Sequence, residues 1–559
     1  MMLTKILKSR YFWLFFIFVI FLLARIWGLD LPYHQDENTW SDYAGSGVKG
    51  LSGIPHPPLS GLIFISAFQI LGSAHLRYLP FVVGIINFWL IFLLVRYRFS
   101  RSAALWSALF FSVGFYGVLA SLMVDTDGQI LPLFFLLSAI SFYKWRDSET
   151  TRRKIIWGSL LVISILLGFL TKASFIITAG AIVFELLYSK SRSVSRQQLV
   201  KTALIAVVAL ASLVLLMLGI LYFLPILNIS KTLARWKHFL VFSDRNYLQI
   251  SIQFLKALLY ASPLFLVPLL FVNRKNFEKL RLFIIFLVLG LIFYLVLFDF
   301  SSGALDRYLQ FIVVPLSIIG GVVAADIFSS DPIRVGRKVF VLSGLAAMGI
   351  FLTQFLPHFV PSLYPKTEWF SRVLNLKWNF LFPFTGGSGP MGFYVSWLFM
   401  AFIWLMTAVL AVLALKKINL RKHLWVAILI LGFLYNGVFI EEYLFGKING
   451  NPAVLLKNAM EFIKNDGNIG KVITYNNIGR GALKQMGKFE RRLYVAPKFE
   501  SSYTDILRSF KGHYLVIDIP RIHLSSPYTK YFSSCVVIYE ENSKKISAKI
   551  YDCKNASEI

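Results

Sequence analysis

Long apolar runs separated by short basic clusters govern what this chain can become. Runs of about 18 or more apolar residues are long enough to cross a bilayer as helices. They lie near 11–27, 78–95, 103–121, 129–145, 155–170, 173–188, 202–224, 255–272, 282–298, 309–327, 338–356, 391–415 and 424–440. That makes about thirteen spans. Lys5, Lys8 and Arg10 precede the first and hold the N-terminus in the cytoplasm. Alternating from there, the inner loops are 96–101, 144–154, 190–201, 274–281, 334–338 and 416–422, and each carries several Lys or Arg. The outer loops 121–129, 170–173 and 298–309 carry few, as the positive-inside rule requires.

That agreement holds only if the apolar stretch 59–71 does not cross. It is short for a span, and it follows His56-Pro57-Pro58, so it reads as a re-entrant or surface-lying helix on the outer face. The first span is followed by Arg25-Ile26-Trp27-Gly28, which offers no small-x-small cleavage site, so it reads as a retained helix.

Composition narrows the class. Of 559 residues, 57% are hydrophobic and 53 are Phe, more than a soluble core needs. The net charge of +29 raises the question of nucleic acid. Much of that charge lies in loops between spans, and no basic patch with interleaved exposed aromatics occurs, so anionic lipid head groups are the better partner.

Two long outer loops remain, 225–254 and 357–390; the second holds Gly386-Gly387-Ser388-Gly389 and has the makings of a lid. The chain changes character near Glu441. Residues 1–440 read as the membrane domain, with a first outer loop over 28–77. Residues 441–559 read as a small extracytoplasmic α/β domain, with an amphipathic run at 453–463 and strand-like runs at 471–475 and 514–517. Cys535 and Cys553 fall in that domain; a disulfide and two free thiols both remain open from spacing. Asn228-Ile229-Ser230 and Asn555-Ala556-Ser557 match the glycosylation pattern, which is common by chance.

The polar residues that punctuate the spans are the candidates for chemistry. Asp36 and Glu37 emerge in the first outer loop, where a carboxylate that loses solvation becomes a better base. Asp125 and Asp127 stand between the third and fourth spans, and ionisable groups there face a cavity or a partner. His56, Lys172, and Arg307 with Tyr308 supply donors for a phosphate at head-group level. Each has a plainer reading: a solvated loop acid, a helix cap by Asp127, a turn histidine, a snorkelling lysine. No dedicated metal set is present; a divalent ion near Asp36, Asp125 and Asp127 is compatible with the acids and not required by them. Glu441-Glu442 reads as solvation of a helix end.

Taken together these motifs resemble a known family. The Asp36-Glu37 pair, the His56-Pro57-Pro58 helix start, Asp125, the stretch 77–84 with its Leu-Pro, Leu170-Thr171-Lys172, and Asp306-Arg307-Tyr308 with Pro315 are similar to those of GT-C glycosyltransferases. The nearest branch is that of the protein O-mannosyltransferases and lipid A aminoarabinose transferases, and the likeness covers roughly residues 1–330. It implies a polytopic α-helical fold and an integral plasma-membrane enzyme, with its active site and C-terminal domain on the extracytoplasmic side. It implies inverting transfer of a sugar from a polyprenyl-phosphate carrier to a lipid, glycan or protein acceptor, with no cofactor required. Asp36 would be the catalytic carboxylate and Glu37 its partner, with Asp125 supporting the donor or acceptor site. One departure stands out: aminoarabinose transferases carry lysine where this chain has His56, and a neutral imidazole holds a phosphate less firmly.

A transporter or flippase for lipid-linked sugars is the rival class, though transporters place polar groups at mid-membrane while these acids cluster at span ends. A glycan polymerase or ligase using the same carrier is a second rival, and a receptor or scaffold a third.

Overall fold

The structure is a computed structural model. It describes residues 10–48, 56–191, 245–297, 305–329, 335–364, 367–384, 390–495, 503–507 and 509–556, with isolated positions between 198 and 219. The expected span at 202–224, Asn228-Ile229-Ser230, Gly386 to Gly389 and Ser557 lie wholly or partly outside these residues.

Every other expected span overlaps a helix or helix pair, except that the one at 391–415 begins as a strand over Phe393–Ser396 and turns helical at Trp397. In chain order the helices up to residue 329 are α1 (Arg10–Ile26), α2 (Asp36–Gly45), α3 (Pro58–Leu71), α4 (Tyr78–Arg98), α5 (Arg101–Val113), α6 (Phe115–Leu122), α7 (Ile130–Arg146), α8 (Thr151–Thr171), α9 (Ile176–Ser191), α10 (Tyr247–Leu266), α11 (Arg274–Ile292), α12 (Leu305–Tyr308) and α13 (Val313–Ser329). Polar caps start several of them. Ser100 accepts from Ala103 N at the head of α5, Asn246 from Gln249 N at α10, and Asn273 from Asn276 N at α11. Pro58 opens α3, where its missing N–H costs nothing.

The expected count of about thirteen crossings is not confirmed, since the span at 202–224 lies largely outside the described residues. Among the described residues eight helices are long and apolar enough to span, or nine if the pair α5 and α6, bent by 66°, is one span. Shorter apolar helices over 11–26, 58–71 and 173–189 fall below that length among the described residues. The stretch read as too short to cross is the 14-residue helix α3.

The chain divides into two compact units. The first comprises residues 1–30, 39–335 and 411–425. Its helices pack through small residues: a side chain at Gly321 would meet the Ser107 backbone N at 2.4 Å, so α13 and α5 touch backbone to backbone. Buried charge is tied down. The Arg25 guanidinium donates to the carbonyls of Phe21, Ser112 and Phe111 at 2.9–3.1 Å, fastening α1 to α5. Arg281 grips Glu185 through Nε at 2.6 Å and Nη2 at 2.9 Å, joining α11 to α9.

The second unit comprises residues 31–38, 336–410 and 426–559. It contains α14 (Arg337–Leu352), α15 (Thr367–Leu374), a hairpin of β1 (Leu381–Phe384) and β2 (Phe393–Ser396), and most of α16 (Trp397–Lys416) and α17 (Arg421–Leu444). An α/β module follows: α18 (Pro452–Asn465), β3 (Val472–Tyr475), α19 (Arg480–Gln485), β4 (Phe489–Leu493), β5 (His513–Ile517), α20 (Pro527–Phe532), β6 (Val536–Ser543) and β7 (Ile546–Asp552). The sheet order is β4-β3-β5-β7-β6, with β4, β3 and β5 parallel and β7 antiparallel to β5 and β6. Strand β5 is buried on both faces, Leu515 and Ile517 packing with Leu455 and Ile463 of α18, Tyr514 and Val516 with Tyr531 and Phe532 of α20. Cys535 and Cys553 are joined in a disulfide that closes the β6–β7 hairpin at its base, deciding between the two alternatives left open by spacing.

Candidate functional site

The loop from α6 to α7 delivers Asp125 and Asp127, the C-terminal end of α8 delivers Lys172, and α12 delivers Arg307 and Tyr308. These five residues of the first unit converge. Lys172 Nζ lies 2.7 Å from Asp127 Oδ1 and 2.5 Å from Oδ2. Arg307 Nε stands 2.9 Å from Asp125 Oδ2 and 4.0 Å from Asp127 Oδ2. Both aspartates are 2–3% exposed and both cations under 10%, so the charges compensate one another within the fold. Asp125 is steadied by its neighbour, accepting from Thr126 N at 2.6 Å. The Tyr308 ring lies under both cations, 4.6 Å from Lys172 Nζ and 4.5 Å from Arg307 Cζ.

Asp127 also lines a small pocket whose walls include Phe135, Phe175, Phe286, Phe311 and Val314. Ser174, Thr178 and Tyr294 are its other polar lining groups. The lining is thus mostly aromatic and aliphatic, with Asp127 as its one charged group.

Asp36 and Glu37 belong to the second unit and open α2. Anionic side chains are favoured at a helix N-terminus. Their tasks differ. Glu37 is buried, and its carboxylate accepts from His34 N at 3.0 Å, capping the turn. Asp36 is only part-buried, the more accessible carboxylate of the two. Just before it Gln35 adopts φ +46°, left-handed backbone that a residue with a side chain rarely takes. His56, in the first unit, stacks on Trp40 with ring centroids 5.7 Å apart, and Trp40 packs on Phe64 of α3.

The sequence singled out all five residues of the ion cluster one by one, and the pairing of each aspartate with a cation is what folding adds. Among the described residues no group of three His, Cys, Asp or Glu is placed to hold a metal ion; Asp125 and Asp127 face cations. Sequence reasoning missed Gln35, Asn476 and Arg492, which meet in the second unit: Gln35 Nε2 donates to Asn476 O at 2.9 Å, and Arg492 Nη1 donates to Gln35 Oε1 at 3.0 Å. The signal available was the consecutive pair Asn476-Asn477, residues suited to left-handed turns.

Residues 55–217 match the family of dolichyl-phosphate-mannose-protein mannosyltransferases. Across 96% of its length the chain superposes on ArnT from Cupriavidus metallidurans bound to undecaprenyl phosphate, covering 97% of that chain at a TM-score of 0.51 and 12% identity. The chain has the GT-C fold. The same enzyme in its apo state gives a TM-score of 0.51 at 13% identity, with 96% and 97% coverage. The archaeal oligosaccharyltransferase AglB from Archaeoglobus fulgidus, in complex with an inhibitory peptide and a dolichol-phosphate, gives 0.44 at 11% identity over 90% of this chain and 69% of that one. No curated protein matches by sequence. The resemblance drawn from the sequence to GT-C membrane glycosyltransferases, and the helical fold with a small C-terminal sheet, are thus borne out.

Proposed function

We propose that the chain is an inverting glycosyltransferase that moves a sugar from a polyprenyl-phosphate carrier to a lipid, glycan or protein acceptor on the outer face of the membrane. The observation that supports this reading best is the buried pair of cations, Lys172 held by Asp127 and Arg307 by Asp125, with the mostly apolar pocket lined by Asp127 beside it. An ammonium has three N–H donors, so a lipid phosphate can join Lys172 without displacing Asp127. Arg307 supplies a second positive charge. ArnT, whose fold the chain shares, binds undecaprenyl phosphate.

In this reading Asp36 takes the proton of the acceptor hydroxyl as its oxygen attacks the anomeric carbon. The bond from that carbon to the phosphate oxygen breaks, and Lys172 and Arg307 stabilise the departing phosphate. Glu37 holds the turn that presents Asp36, and Asp125 and Asp127 fix the two cations. Tyr308 forms their floor, and His56 stands at the start of α3 as a further phosphate donor. No cofactor is needed for this displacement. The Cys535–Cys553 disulfide supports the outward placement of the module, since such bonds persist in oxidising compartments.

The test compares wild type with Asp36→Asn for sugar release from a panel of radiolabelled polyprenyl-phosphate sugars, with membranes of a host lacking the gene as acceptor. Consumption of one donor by wild type alone supports the reading and names the sugar. Equal consumption by both proteins removes Asp36 as the base, and carrier movement without sugar release would favour a transporter.

A further inference from the structure

We propose that Arg492 of the C-terminal α/β module acts through Gln35 as a positioning residue for the Asp36 carboxylate. This rests on the reading of Asp36 as the base. Three relationships within the second unit carry it.

The first is a clamp on the residue before Asp36. Gln35 donates through Nε2 to both Asn476 O at 2.9 Å and Asn476 Oδ1 at 3.2 Å, and its Oε1 accepts from Arg492 Nη1 at 3.0 Å. Both ends of one amide are thereby fixed by residues more than 440 positions away. Arg492 is held in turn, its guanidinium 3.9 Å from the Tyr494 ring centroid. On the other side of Asp36, Asn38 Oδ1 comes within 2.5 Å of where a side chain on Gly481 would begin, so a larger residue there would push the Asn38 amide aside.

The second is where the clamp sits. Asn476 follows β3 directly, and Arg492 is the penultimate residue of β4. Asn476 N donates to Leu493 O at 2.9 Å, so both strands finish at one edge. The carboxyl ends of parallel strands are where open α/β sheets place ligand-binding loops. Here that edge receives Gln35.

The third is strain. Gln35, Asn476 and Asn477 have φ of +46°, +55° and +61°. A left-handed residue with a side chain is strained, and Asn bears this more readily than Gln. A simple anchor between loop and sheet needs no such conformation at the residue next to a carboxylate. Strain of this kind gathers where a side chain must be aimed. Burial pulls the Arg492 guanidinium below its ordinary pKa and Arg480 adds to that, while Tyr503 and Asp36 act against it.

The experiment uses the purified full-length chain and measures kcat and KM for transfer from the donor that wild type consumes, between about pH 5 and 9. Arg492→Met and Gln35→Ala are expected to lower kcat by about 10- to 100-fold, the cost of a misplaced group, with KM changed less than about threefold. Both should move the acidic limb of the pH–rate profile, and Arg492→Lys should restore part of the rate. Arg491→Met, exposed on the same strand, should match wild type. The proposal is overturned if Arg492→Met and Gln35→Ala retain the wild-type rate, or if their loss tracks a lowered melting temperature while the profile stays in place. Asp36→Asn separates the two readings. If it is inert while Arg492→Met is normal, only the positioning role fails; if it is fully active, both readings fall.

Discussion

Lys172 grips both carboxylate oxygens of Asp127, at 2.7 and 2.5 Å, across 45 residues of chain and with both side chains buried. Removing one partner strands the other charge, which costs about 3–5 kcal/mol in buried pairs. Lys172→Met and Asp127→Asn should each lower the thermal melting point in detergent and abolish transfer. The double variant Lys172→Gln/Asp127→Asn should regain much of the stability and none of the activity. Recovery of transfer in the double variant would show that the pair is structural only.

Glu37 and Asp36 should separate cleanly on mutation. Glu37→Ala loses the cap on His34 N and is expected to cost about 0.5–2 kcal/mol of stability, with Glu37→Gln milder because an amide oxygen still accepts. Asp36→Asn should leave melting unchanged and lower kcat by about 100- to 10,000-fold, the range of a lost general base. Melting curves beside single-turnover rates check both statements.

Gly128 follows Asp127 directly. A side chain there would meet Ala120 O at 2.5 Å and Gln310 Oε1 at 2.9 Å. Backbone cannot yield as a flexible side chain can, so Gly128→Ala should destabilise by about 1–3 kcal/mol. It should also reduce transfer beyond that loss of folded protein, by moving Asp127 off Lys172. An unchanged rate per folded molecule would contradict this.

The module should weaken in acid. Burial holds the His513 imidazole below its ordinary value of 6.5, against a smaller opposing pull from Asp552, whose Oδ2 lies 3.7 Å away. The unfolded chain therefore binds this proton more readily than the folded one. The His513 contribution is full above about pH 6.5 and is lost as pH falls through the folded value. Melting of the chain at about pH 7.5 and pH 5 measures the slope, and His513→Gln should flatten it.

The disulfide ties residues 18 apart in sequence. Closing a loop of that size in the unfolded chain is worth about 3 kcal/mol. Cys553→Ser should lower the module's unfolding midpoint by a corresponding amount, and a reducing agent should do the same to wild type. No shift in either case would mean that the bond contributes nothing to stability.

Much of the fold was legible because apolar length and loop charge are local. The runs at 78–95 and 155–170 became α4 and α8, and the run at 453–463 became α18. The strand-like runs at 471–475 and 514–517 became β3 and β5. Strand β4 was not seen, since Phe489-Glu490-Arg491-Arg492-Leu493 is a charged edge strand with one fully buried residue. Glu185 was passed over although a carboxylate inside an apolar run is a visible signal; its partner Arg281 lies 96 residues on. For the site, composition and placement pointed to Asp125, Asp127, Lys172 and Arg307 singly. Nothing local says which acid takes which base, because pairing is a property of how α8 and α12 meet the α6–α7 loop. The clamp on Gln35 was beyond reach for the same reason.

The ion quartet of Asp125, Asp127, Lys172 and Arg307 sums to zero, and that balance bears on how a turnover ends. A polyprenyl-phosphate sugar is a phosphodiester and carries a single negative charge. Once the sugar leaves, the carrier is a phosphomonoester of about 1.5 to 2 negative charges near neutral pH. A cavity with two unopposed cations would favour this more highly charged product over the donor and turn over slowly. In the proposed transfer, with each cation already facing a carboxylate, the spent lipid would gain little from its added charge, and the residues proposed to help it depart would not hold it back.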